Sequence, residues 1–130
     1  MANTVTTQTI LDGDRNLVLL LTGVLDTSDE ARVIKVDVSS FVPAPTRIRV
    51  DRIRHSISGQ LSVILDWDAS TPVRFAALTG QGEVDARKFG GLQDNGGAGR
   101  TGDIYLTTVG WASGSQTYTI VLEMTKTSFS

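Results

Sequence analysis

Apolar residues in this chain recur at every second position, and the three-and-four spacing of a helix is absent. The clearest case is the 116–126 run. Tyr118, Ile120, Leu122 and Met124 share one phase there, and Thr117, Thr119, Glu123 and Thr125 share the other. A strand turns successive side chains to opposite faces, so this run predicts a strand with one buried side. The 32–38 run shows the same pattern, with Ile34, Val36 and Val38 on one side and Lys35 and Asp37 on the other. Further runs rich in Thr, Val, Ile and Ser cover 4–11, 16–24, 46–58, 61–67, 73–78 and 103–109. The 26–32 stretch (DTSDEAR) is fit for one helical turn and no more.

Turn residues separate these runs. Asp12-Gly13-Asp14-Arg15 predicts a hairpin between the first two. Gly59-Gln60 marks a second hairpin between 46–58 and 61–67. The 41–45 segment holds two prolines and must be a loop or an edge crossing. About eight short strands predict an all-β, antiparallel two-sheet sandwich, jelly-roll or Greek-key like, with a closed barrel as the alternative. In the longest run, Ile48 and Val50 share one phase, whereas Ile53, His55 and Ile57 share the other. Side chains of period two change face only around an inserted residue, so a β-bulge or sheet switch is expected at Asp51-Arg52.

Composition narrows the class. The 130 residues are 40% hydrophobic and 20% charged, which suits a single domain spanning 1–130. There is no cysteine, hence no disulfide and no thiolate metal site. The opening MANTVTTQTIL lacks the basic and apolar regions of a secretory leader, and the longest apolar run, Leu17 to Leu21, is too short to span a bilayer. A soluble protein is expected. A net charge of −2 gives no drive toward nucleic acid or an anionic membrane. Leu17 to Leu21 is apolar in both phases, which predicts a strand covered on both faces, the second cover being a neighbouring subunit.

Little in the sequence points to catalysis. His55 is the single histidine, and its neighbour Ser56 belongs to the opposite face of the strand. Asp12-Gly13-Asp14 and Asp66-Trp67-Asp68 each offer two carboxylates, short of a calcium loop. They suit turn aspartates that bond their own backbone. Gly97, Gly99 and Gly102 form a GxGxxG, but a strand-like run follows where a dinucleotide site needs a helix. The 90–102 stretch is costly to order, so it is expected to be a contact loop, with Gly96, Gly97 and Arg100 as its contact residues. Arg47, Arg49, Arg52 and Arg54 are the one charge cluster. If the phase slip returns the last two to the face of the first two, they form a stripe. That stripe either pairs with carboxylates of a protein partner or is a solvated face that protects an edge. Nucleic acid is disfavoured because few aromatic residues interleave the arginines. Trp111, in Gly110-Trp111-Ala112-Ser113-Gly114, is placed to anchor an interface or to stack on a sugar. No catalytic residue, cofactor or metal is expected.

Three segments carry a family resemblance: the opening MANTVTTQTILDGDRNLVLLLTGVLDTSD, the FGGLQDNGGAG loop and the close ASGSQTYTIVLEMTK. Together they resemble small virion structural proteins of tailed bacteriophages, most of all head decoration (cement) proteins. The resemblance implies a non-enzymatic protein, made in the host cytoplasm and placed on the capsid exterior. Its partners would be the major capsid protein and itself, as a dimer or trimer. A neck or tail structural protein fits the same segments. A carbohydrate-binding β-sandwich module using Trp111 is the alternative from a different class.

Overall fold

A computed structural model describes residues 4–26, 28–30, 32–41, 45–59, 61–93, 99, 101–112 and 114–129. Among them are ten strands: β1 (Thr4–Asp12), β2 (Asn16–Leu25), β3 (Val33–Val36), β4 (Pro45–Ile57), β5 (Ser62–Trp67), β6 (Val73–Thr79), β7 (Gln81–Asp85), β8 (Leu92–Gln93), β9 (Ile104–Val109) and β10 (Gln116–Phe129). Two single 3-10 turns, Val38–Ser40 and Arg87–Phe89, are the only helical pieces described. No helix among the described residues is long and apolar enough to cross a membrane.

The strands form two antiparallel sheets. The larger runs β1-β2-β10-β4-β7, with β8 pairing β4 beside β7, and the smaller runs β3-β9-β5-β6. Eight of the strands, all but β1 and the two-residue β8, nest in chain order. The first pairs with the last (β2 with β10), the second with the second-last (β3 with β9), then β4 with β7 and β5 with β6. This nesting is a jelly roll, a sandwich built from two Greek keys.

The expected register break is present. Glu123 pairs with Arg52 and Met124 with Val50, so Asp51 is the extra residue. Its carboxylate accepts from Thr125 Oγ1 at 2.5 Å and Arg49 Nε at 2.8 Å, and its carbonyl accepts from the Ala86 N–H. The bulge lets Ile48, Val50, Ile53 and Ile57 all face inward, each buried. They meet Leu19, Leu21, Ile120 and Leu122 of the same sheet and Val63, Leu65, Trp67 and Leu106 of the other in one core. Trp67 stacks on Phe75 with ring centroids 4.5 Å apart.

Four expectations are corrected. Gly59-Gln60 does not close a hairpin, because β4 and β5 lie in different sheets. Ile57 and Leu61 both enter the core, so the turn drops the chain from one layer to the other. In β3, a second bulge between Ile34 and Val36 turns Lys35 inward and leaves Ile34 exposed. Strands β7 and β8 went unread because they lie at an edge and carry little apolar alternation. Finally, the described part of the 26–32 stretch contains no helical turn.

Tyr118 lies across the backbone of Gly23, its partner on β2. A Cβ added there would stand 2.4 Å from the ring. Gly23→Ala is therefore expected to destabilise the fold by about 1–3 kcal/mol through overpacking, read as a lower urea midpoint.

Candidate interaction surface

The bulge at Asp51 decides what the outer face of the large sheet carries. It returns Arg52 and Arg54 to the side of Arg47 and Arg49, opposite the buried isoleucines. The stripe expected from sequence is thus assembled, but its charge is matched within the sheet. Arg49 Nε bonds Asp51 at 2.8 Å, Arg52 Nε bonds Glu123 at 2.5 Å, and Arg54 Nε lies 3.2 Å from Glu83. Arg87 and Asp85 add a pair beside them at 2.7 Å, which holds the Asp85 carboxyl well below the usual carboxylate range. Ion pairs on a solvent-facing sheet surface add little net stability. Their larger effect is to leave a face with alternating, locally cancelled charge.

Between β10, β4 and β7 lies a shallow depression of about 480 Å³, lined by Arg54, His55, Ser56, Gln81, Gly82, Glu83, Thr119 and Val121. The His55 side chain belongs to the phase of Ile53 and Ile57 on β4. Its Nδ1 lies 3.1 Å from the Gly80 carbonyl, to which it can only donate, and its ring edge packs against Gly82. Ser56 is exposed and turned to the outer side, so the two do not meet in a nucleophilic pair.

Beyond β10 the outer face becomes apolar. Val121 pairs with Leu20, and Glu123 with Val18. Val18, Leu20 and Val121 are half-buried on this outward side, while Leu17, Leu19 and Leu21 are buried beneath. The doubly apolar run of β2 is thus covered on its inner face by the core and stays partly open on its outer face. Its neighbour β1 is exposed along all nine residues.

Asp12 and Asp68, expected to bond their own backbone, instead hold distant segments. Asp12 accepts from the buried Lys126 ammonium at 2.7 Å, and the Gly13 carbonyl accepts from the same group at 2.8 Å. Asp68 joins Arg32 at 2.8 Å and Thr101 Oγ1 at 2.9 Å, and the Arg32 guanidinium holds its carboxyl below the usual range. Arg32 also lies 4.1 Å from the Tyr105 ring centroid and adopts a positive φ of 46°. Burial pushes the nearby Asp103 carboxyl up, although its oxygen accepts from the Val38 N–H. Among the described residues, no three potential His or acidic ligands gather as a metal site.

Gly96, Gly97 and Arg100 lie outside the described residues. The two described glycines of the GxGxxG have steric roles. A Cβ on Gly99 would sit 2.2 Å from Ser70 Oγ, and one on Gly102 would sit 2.6 Å from the Thr46 carbonyl oxygen. Both have positive φ. They let the backbone pass close to Ser70 in the β5–β6 turn and to Thr46 near the start of β4. Trp111 is half-buried and packs on the core. Its indole N–H donates to the carbonyls of Leu25 and Gly114, each at 3.0 Å, and its backbone N–H donates to Asp29. It anchors the β9–β10 crossing between the two sheets.

The sequence reading missed a polar cluster inside the sandwich. Lys35 Nζ lies 3.0 Å from Glu30 Oε2, with both side chains almost wholly buried. The Tyr118 hydroxyl donates to the other Glu30 oxygen, and Thr108 bonds the Glu30 backbone in both directions. The one advance signal was a lysine in a β-branched run five residues after a glutamate. Comparison with protein-family models, curated proteins and solved structures finds no match.

Lys35→Met leaves the Glu30 carboxylate buried without its cation and is expected to cost about 3–5 kcal/mol. The double variant Lys35→Met/Glu30→Gln should recover part of that loss, since an amide still accepts from Tyr118; urea midpoints decide. Burial first, and the Glu30 carboxylate second, hold the Tyr118 hydroxyl above its ordinary value of 10.0. The folded state then keeps this proton longer than the unfolded chain does. Its stabilising contribution is complete below that value and declines as pH rises past it. The fall in urea midpoint above about pH 10 should be shallower in Tyr118→Phe.

Proposed function

We propose that the protein is a non-enzymatic virion structural protein that binds the assembled capsid lattice from outside and adds contacts between major capsid subunits. The observation that carries the non-catalytic half is where the ionisable groups are spent. His55 holds a turn carbonyl, Asp68 ties a loop to Arg32, three arginines of the stripe neutralise acids in their own sheet, and Glu30 is sealed in the core with Lys35. A surface whose charges cancel locally suits broad, shape-based contact with another protein. The capsid half is supported by the resemblance to phage decoration proteins. Jelly rolls recur in capsid and lectin domains, which agrees with it as a fold-level analogy.

In this reading, the outer face of the large sheet and the loop containing Gly96, Gly97 and Arg100 meet the capsid, and the repeated lattice raises weak contacts to useful avidity. The glycan alternative loses ground to the position of Trp111, whose indole N–H is already used and whose ring is partly covered.

Purified protein is expected to co-sediment with expanded heads and to raise their melting temperature. Failure to associate with heads would refute the capsid role, and association with purified tails or necks instead would move the protein there.

A further inference from the structure

The sheet edges of this protein are not alike. Strand β7 carries Glu83 and Asp85, tied to Arg54 and Arg87. Its neighbour β8 has two residues. Strand β3 is four residues long and bulged at Lys35. Strand β6 follows Pro72, carries Arg74 and is bulged at Phe75. Short length, charge, proline and bulges are the usual means of keeping an edge from pairing with another chain. Strand β1 lacks most of them. It pairs with β2 alone among the described strands, and all nine of its residues are exposed. From Thr4 to Leu11 it has no charge and no proline. Its bulge, at Ile10, leaves Thr4 to Thr9 in unbroken register. Ile10 is 54% exposed.

We propose that β1 is the seam of a homodimer, in which two copies join β1 to β1 antiparallel and the large sheet runs on from one subunit into the other. A two-fold axis normal to the sheet opposes residues of the same face. Centred on Thr7, this sets Gln8 against Thr6 and Val5 against Thr9, opposes no like charges, and brings the two Gln8 side chains to diagonal positions across the axis. A second copy fits this edge because the edge is neutral and complementary to itself. A foreign strand would gain only the backbone bonds.

Gln8 is exposed, on the outer face of β1 opposite Leu20. In sedimentation equilibrium the native protein is expected to be a dimer. Gln8→Lys and Gln8→Glu, each placing like charges across the two-fold, should both weaken dimerisation at least about tenfold without lowering the melting temperature of the monomer. An equimolar mixture of the two variants should dimerise again, because opposite charges then face each other. A monomeric native protein, variants that stay dimeric, or a mixture that stays monomeric would each overturn the proposal. The inference stands apart from the capsid reading: a dimer with no affinity for heads would keep this one and sink the other.

Discussion

The large sheet is registered on the ladder between β4 and β10, and that ladder keeps a buried side only because Asp51 is an extra residue. Without it, the thirteen-residue β4 would bury either Ile48 and Val50 or Ile53 and Ile57, but not both pairs. The insertion costs one ladder position. It is offset locally, since the Asp51 carboxylate bonds Arg49 and Thr125 and its carbonyl takes the Ala86 N–H. The same residue therefore aligns the core, returns the arginines to one face and fixes the start of the 3-10 turn after β7.

The two layers are joined by more than apolar contact. Glu30 sits between them, bonded to Thr108 of the small sheet, Tyr118 of the large one and Lys35 of β3. A buried ion pair adds little net stability compared with a well-packed apolar replacement. What it fixes is position, because each member loses its partner if one layer slides. Gly23 serves the same end, since the Tyr118 ring reaches Glu30 across the space a side chain would fill.

Much of the fold was legible because strands with one wet face write their burial into the sequence. The alternation of β10 gave its inner side, and the change of phase in β4 gave the bulge. The second bulge left no such trace: Ile34, Val36 and Val38 already alternate, so nothing marks Lys35 as the inward residue. A turn such as Gly59-Gln60 reads the same whether it closes a hairpin or drops the chain to another sheet. The arginine stripe was visible, but its neutralisation was not, because Glu83 and Glu123 come from strands far along the chain. Gly99 and Gly102 match the spacing of a phosphate loop, which the following strand ruled out, because a close backbone approach uses the same residue for a different neighbour.

The central strand of the large sheet is also the last strand described in the chain. Strand β10 lies between β2 and β4 and pairs with both along most of its length. During synthesis, β2 and β4 leave the ribosome with their apolar faces ready and no strand to sit between them. The small sheet and the β1–β2 hairpin can begin to form, but the core closes only when the final stretch is free to insert. Contacts this distant in sequence make folding slow for a domain of this size. In the interval before insertion, when β2 still lacks its inner neighbour, the apolar faces of β2 and β4 are uncovered and open to aggregation.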